Sequence, residues 1–216
     1  MKIREAAPDR YAELVEARRS HLREALRPIL EQSSRVDLEV GSGHGHYLTA
    51  YAMAHPDRLC VGIDICRDRV ARAIRKRDRA GLKNLYFIQC DGADFLVEVG
   101  EQMSIVRTFV LFPDPWPKRR HHKNRLINPS FLKMLAKRGC PGATLHFRTD
   151  HLPYFQQAVS DLRDHAAWNL DPGAAWPFEE ATVFQKRASC YYSATASVRP
   201  SKEVHPDHQE DLNTSR

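Results

Sequence analysis

An α/β architecture, with a mostly parallel sheet covered by helices on both faces, is what this sequence predicts, and three observations carry the prediction. From residue 36 onward, short apolar runs alternate with segments of helical rhythm, the pattern of strands returning through crossover helices. A glycine-rich turn, Gly41-Ser42-Gly43-His44-Gly45, follows the first apolar run directly and opens a helix. Near the end, residues 191–198 are rich in β-formers, which suits an antiparallel closing strand.

The elements follow in order. Leu14, Val15, Leu22, Ala25, Leu26 and Ile29 recur at helical spacing, so residues 9–31 are predicted as an amphipathic helix, with Asp9 as its cap. Residues 36–40 form the first predicted strand, and a helix runs from the glycine turn to about Met53. Residues 59–63, 85–89 and 105–112 are the next three strands, separated by a basic helix over 67–80 and a short helix over 93–99. Residues 129–137 are predicted helical, 139–142 a turn, 143–147 a fifth strand and 151–165 a helix. Residues 182–184 are expected to pair antiparallel with 191–198, which brings the count to seven strands. The segment from Pro200 to Arg216 is polar without periodicity and is expected to be disordered, with His205 and His208 in solvent.

A chain of 216 residues suits one domain with a real core. No apolar stretch is long enough for a membrane span, and Met1-Lys2-Ile3-Arg4-Glu5 lacks the apolar region of a secretory signal. The five cysteines are odd in number and have no CxxC spacing, so reduced thiols in the cytoplasm are expected rather than disulfides or a zinc site. A net charge of +6 favours a polyanionic partner. The positive charge is concentrated at residues 67–79 and 118–125.

Residues 109–125 are the most informative stretch. The apolar run ends at Phe112 and meets Pro113-Asp114-Pro115, which sets one carboxylate just past the strand, and Trp116 follows. Lys118, Arg119, Arg120, His121, His122, Lys123 and Arg125 come next. A buried acid, a ring able to stack and dense positive charge suit chemistry on a nucleic-acid base, with the cations binding phosphates. Trp116 could equally anchor the loop to the core, and Asp114 could be a simple turn residue between prolines.

The glycine turn suits a nucleotide-like cofactor of either of two kinds. A dinucleotide fingerprint would need a third glycine where His46 stands, and Glu39 would oppose a pyrophosphate. The same acid suits S-adenosylmethionine, which carries an ammonium and a sulfonium, and this favours it over NAD(P). Asp64 ends the second strand, where a carboxylate can accept from both ribose hydroxyls. Asp91 follows the third strand, placed either for an adenine amino group or as a helix N-cap.

Glu-Val-Gly-Ser-Gly-His-Gly, Gly-Ile-Asp, Asp-Gly-Ala-Asp and Phe-Pro-Asp-Pro-Trp-Pro-Lys-Arg-Arg-His-His-Lys-Asn-Arg-Leu together resemble the tRNA (guanine-N7-)-methyltransferase family, across residues 36–155. The resemblance implies a Rossmann-like class I methyltransferase with a mostly parallel seven-stranded sheet and an antiparallel C-terminal strand. The chain is thus expected to divide into an N-terminal helical segment over 1–34, a methyltransferase domain over 35–199 and a tail over 200–216. The resemblance further implies S-adenosylmethionine as cofactor, tRNA as partner and a variable-loop guanine as the methylated base. Cofactor contacts are implied at Glu39, Asp64, Asp91 and Asp114, beside Gly41 and Gly43 of the glycine turn, with Asp114 as the catalytic position. Substrate contacts are implied at Lys118 and Asp150, and at Thr182, Phe184 and Gln185 in the last motif.

That last motif departs from the family's Thr-Lys-Phe-Glu: Val183 replaces the lysine and Gln185 the acid. An amide cannot neutralise the N1 and N2 donors of guanine as a carboxylate does. Two alternatives therefore stand beside the leading one. One is a divergent relative that methylates another RNA or a small molecule, and the other is a non-catalytic RNA-binding scaffold.

Overall fold

The computed structural model describes residues 10–181, 185 and 188–200. The chain runs α1 (Arg10–Gln32), β1 (Arg35–Val40), α2 (His46–Ala54), β2 (Cys60–Asp64), α3 (Arg67–Arg79), β3 (Leu85–Gln89), α4 (Gly92–Glu98) and β4 (Ser104–Leu111). After a 3-10 turn at Arg119–Asn124 come α5 (Pro129–Arg138), β5 (Gly139–Thr149), α6 (Leu152–Asp164), β6 (Trp168–Asp171) and β7 (Tyr192–Val198). The seven strands are ordered β3-β2-β1-β4-β5-β7-β6. Strands β1 to β5 pair in parallel, and β7 and β6 are antiparallel.

The central strands are buried because both faces are covered. Val36, Leu38, Val40, Val61, Ile63, Val110, Leu145 and Phe147 join one apolar cluster with Leu22, Leu26 and Ile29 of α1. A second cluster, on Tyr47, Tyr51, Phe87 and Phe109, fills the space beneath α2 and α3. The later half of α1 engages the core through Leu22, Leu26 and Ile29, and Leu14 is exposed. Its expected cap, Asp9, lies outside the described residues. Near-continuous apolar runs are what a strand covered on both faces requires.

Three expectations need correction or refinement. β7 lies between β5 and β6, so its second partner is Trp168–Asp171, and residues 182–184, expected to pair with it, lie outside the described residues. β6 escapes sequence reading because it has only four residues, yet Trp168 anchors it by donating its indole N–H to the Leu132 carbonyl at 3.0 Å. The expected turn at 139–142 is instead absorbed into β5, where the register with β4 shifts between Ile105 and Arg107 and Gly142 adopts a φ of 77°. A bulge, not a chain reversal, accommodates the glycine. The caps of α6 are its flanking histidines, and the His151 side chain accepts from the Tyr154 amide.

His146 sits in β5 between Thr144 and Thr195, 2.9 Å and 3.1 Å from their hydroxyls, and stacks on Phe109. Burial, helped by the charge of Arg148, pushes its pKa down from 6.5 to about 4. Between those values the unfolded chain holds a proton that the folded chain does not. The stabilisation is therefore complete above pH 6.5 and lost as pH falls towards 4. The loss should be about 3 kcal/mol. Urea melts at pH 7 and near pH 4.5 test this: the acid-induced drop should be clearly smaller in His146→Gln, and equal drops would refute it.

Candidate functional site at the carboxyl edge of the sheet

The sheet order reverses at β1. The chain passes from β1 outward to β2 and β3, and then returns to β4 on the other side of β1 before continuing to β5. The loops after β1 and β4 therefore leave a crevice between them, where open α/β sheets bind ligands. Five acids stand on or just beyond the carboxyl ends of successive strands: Asp91 after β3, Asp64 on β2, Glu39 on β1, Asp114 after β4 and Asp150 after β5.

The turn after β1 is tied to β2. The Gly41 and Ser42 amides both donate to the Ile63 carbonyl, at 2.8 Å and 2.9 Å. The Gly43 amide donates to Asp64 Oδ2 at 2.9 Å, while Asp64 Oδ1 accepts from the Cys66 amide at 2.8 Å. A Cβ on Gly41 or Gly43 would meet nothing within 4 Å, so the turn borders open space. Gly45, which sequence reading did not single out, is the close-packed member: a Cβ there would fall 2.5 Å from the Phe87 ring, at a φ of 67°. It is also the N-cap of α2.

Glu39 is only 3% exposed, and its Oε2 has no hydrogen-bond partner. Burial holds its pKa well above the usual carboxylate range, the charge of Asp64 pushes the same way, and the Leu48 amide opposes both. Ser42 Oγ and Thr49 Oγ1 are likewise buried and unpartnered. Three orphaned polar atoms around one glycine turn are costly unless a ligand satisfies them. An acceptor oxygen beside an open turn fits the donors of a nucleoside carrying an ammonium group, as S-adenosylmethionine does. Asp91 is an N-cap, with Oδ1 accepting from the Ala93 and Asp94 amides.

The loop after β4 is clamped at both ends. The Phe112 amide donates to the Arg148 carbonyl at 2.8 Å, and Arg125 Nε donates to the Pro115 carbonyl at 2.9 Å. Phe112 and Trp116 have φ values of 51° and 44°, the only non-glycine residues with positive φ among those described. Bulky side chains in that region cost roughly 1–3 kcal/mol each, a strain typical of functional loops. Asp114 between them is exposed rather than buried, because its two prolines carry the loop out past the strand end. Lys118 and Asp150 are also exposed, and Gln185 is half-buried. Thr182 and Phe184 lie outside the described residues.

Arg125 is a second correction. Only 2% exposed, it lies 4.9 Å above the Tyr154 ring and donates to Gln157, so it holds the loop and does not grip phosphate. Trp116 is edge-on to His121 at 5.8 Å. Sequence reading also missed Arg148 as an organiser. Its guanidinium lies 3.7 Å above Trp176, 5.1 Å from Tyr191, and forks onto Glu179 at 2.6 Å and 2.9 Å. The hydrogen bonds from Arg148 hold the Glu179 pKa below its ordinary value. The clamp pins residues 176–179, just ahead of the last motif, to the end of β5. Its one sequence signal was the Arg148-Thr149-Asp150 run, since the partner is 31 positions away.

The strand order, the crevice at the switch point and the antiparallel end strands define a class I, Rossmann-like methyltransferase fold. Solved structures agree: the aminoglycoside resistance methyltransferase NpmB1 has a TM-score of 0.56 at 17% identity, over 82% of this chain and 93% of that one. The precorrin-6y C5,15-methyltransferase from Geobacter metallireducens has a TM-score of 0.53 at 11% identity, over 84% and 86%. At sequence level, the family described as putative methyltransferase matches residues 33–191, and the chain belongs to that family. Relatives named tRNA (guanine-N(7)-)-methyltransferase include that of Nitrosococcus oceani, 37% identical over 138 residues, which is 64% of this chain and 58% of that protein. The one from Mycobacterium sp. (strain KMS) is 42% identical over 126 residues, covering 57% and 46%. The one from Nocardioides sp. is 34% identical over 159 residues, covering 73% and 63%. The chain thus spans about half to three-fifths of the length of these relatives. No helix among the described residues is long and apolar enough to cross a membrane.

Arg125→Ala should destabilise the fold by roughly 2–4 kcal/mol, since it opens a cavity beside Tyr154 and strips the Pro115 carbonyl of its donor. Urea melts measure it, and a cost within 0.5 kcal/mol of zero, typical of surface changes, would show the residue to be dispensable.

Proposed function

We propose that this chain transfers a methyl group from S-adenosylmethionine to N7 of a guanine in tRNA. The reading is carried by one observation: a strained, doubly clamped loop presents Asp114 across the switch point from a buried Glu39 with an unpartnered oxygen. The names of relatives at 33–42% identity support both the acceptor atom and the RNA. The same reading places the protein in the cytoplasm with its substrate.

When bound, S-adenosylmethionine supplies an electrophilic methyl group on a sulfonium. Glu39 would accept from its ammonium, and the open faces of Gly41 and Gly43 would admit it to the turn. Asp64 retains lone pairs for ribose hydroxyls beyond the two amides it already serves. Asp91 Oδ2 remains for the adenine amino group, since both capping bonds fall on Oδ1.

Guanine N7 has an exposed lone pair and needs no deprotonation, so no strong base is required. The methylated ring becomes cationic, and a carboxylate carried on a clamped loop would offset that charge. Asp114 would take this role from the loop after β4. Asp150 orients the acceptor base from the neighbouring strand end. Exposed Lys118, Arg119, Arg120 and Lys123 take phosphates, which sets position and salt dependence rather than sequence choice. Thr182, Phe184 and Gln185 complete base recognition.

Gln185 in place of the family's acid favours a second reading, a relative whose acceptor is another RNA or a small molecule. Val183→Lys combined with Gln185→Glu should then create or raise tRNA methylation, and no gain would count against it.

Nucleoside mass analysis after incubating the protein with unmodified tRNA and cofactor tests the main reading. 7-Methylguanosine is expected; its absence, with cofactor binding intact, rejects tRNA N7 methylation. Asp114→Asn should leave the thermal melt unchanged and lower kcat by on the order of 100-fold. Normal turnover would remove the catalytic role. Glu39→Gln should weaken cofactor binding about tenfold, or 1.4 kcal/mol, by calorimetry. An unchanged Kd would leave the orphaned oxygen without that ligand.

A further inference from the structure

Away from the catalytic loop, the positive charge of α3 is organised in a way that the proposed reaction does not use. Arg72, Arg75, Lys76 and Arg79 follow i, i+3, i+4, i+7 spacing, so they form one stripe on the helix. The opposite side of α3 buries Val70 and Ala73 against the sheet. With His44 and His46 of the glycine turn, the four cations line a cavity of about 410 Å³.

Among the described residues, the four cations of this cavity have no carboxylate partner, whereas elsewhere on α3 Arg69 reaches Asp64 and Arg77 pairs with Asp78. Lys76 Nζ approaches His46 Nδ1 at 2.6 Å, a cation against an imidazole. Partial burial lowers the pKa of Lys76, and Arg79 adds to the effect by like-charge repulsion. Four neighbouring cations with no carboxylate among the described residues to pair them repel one another, and an anion would relieve that repulsion.

Topology says which anion. α3 returns from the carboxyl end of β2 to the amino end of β3, so its stripe starts near the carboxyl edge and runs down the outside of the sheet. From Arg72 to Arg79 it rises roughly 10 Å. An extended run of cations leaving the edge of the site matches a polymer with regularly spaced charges better than a single small anion. No aromatic ring lines the cavity apart from the two imidazoles, so it offers phosphate contacts and no base-stacking platform.

We propose that Arg72, Arg75, Lys76 and Arg79, with His44 and His46, form a second RNA-backbone site that holds a substrate strand beside the catalytic crevice. It is separate from the Lys118–Lys123 segment, and it rests on the proposed function only in the choice of tRNA as probe.

The test is fluorescence anisotropy of the full chain with unmodified tRNA over a salt series. The triple variant Arg72→Gln/Arg75→Gln/Arg79→Gln is compared with a charge-matched control, Arg18→Gln/Arg27→Gln/Lys137→Gln. Glutamine keeps good helix propensity at exposed positions, and thermal melts confirm that each variant folds. The α3 variant should bind at least tenfold more weakly, with the slope of log K against log salt reduced by about 2, while the S-adenosylmethionine titration stays unchanged. Affinity and slope equal to wild type, or an equal loss in the control, would overturn the proposal. So would binding to phosphatidylserine vesicles but not to RNA. If the wild type forms no 7-methylguanosine yet loses RNA affinity through the α3 variant, the proposed reaction falls and this site stands.

Discussion

Strand β1 bonds to β2 on one side and to β4 on the other, and the chain leaves it in both directions. A crossover helix covers each inward turn elsewhere in such a sheet, but none can cover the gap where the order reverses. Val40 is level with Ile63 and Val110, so the two strands flanking β1 end beside it and their loops emerge side by side. The glycine turn and the Pro-Asp-Pro loop, 68 positions or more apart along the chain, become the two walls of one crevice for this reason alone. Hydrogen bonds from the turn to Ile63 and Asp64 then hold the first wall rigid.

The second wall is rigid for a different reason. Positive φ at Phe112 and Trp116 would relax in an isolated peptide, so the surrounding contacts must impose it. The Arg148 carbonyl, the Arg125 guanidinium and the ring of Tyr191 against Phe112 are those contacts. Both arginines are buried over aromatic rings, Tyr154 for one and Trp176 for the other. Their charge is thus used to shape the loop and the adjoining segment, while the cations farther along are exposed.

Charge is also sorted by depth. Acids line the carboxyl edge, and cations form the outer flanks at Lys118–Lys123 and on the Arg72–Arg79 stripe of α3. In the proposed reaction, this arrangement would let a cationic cofactor and a polyanionic strand approach one crevice without competing for the same groups. At the opposite end of β1, buried Asp37 is satisfied locally by Tyr51, Arg58 and Arg107, in contrast to Glu39 two residues on. Desolvation raises both carboxyls, but only that of Glu39 keeps an oxygen without a partner.

Local pattern revealed much of the fold. Apolar runs located all five parallel strands, the glycine turn and the Pro-Asp-Pro block marked the crevice walls, and the acids at strand ends followed from their position after each run. These features are legible because backbone preference and two-sided burial are written into neighbouring residues. Other features depend on distant partners. Composition made Arg125 one more cation in a basic run, and only the arrival of Tyr154 and Gln157 from α6 buries it. Arg148 and Glu179 meet across 31 positions, and β6 is too short to show a period. Whether a charged side chain is buried or exposed is set by the groups the fold packs around it, since desolvation must be offset by specific bonds. The chain's own order of residues therefore settled where the strands and the acids would be, and three-dimensional packing settled which charges became structure and which were left to bind.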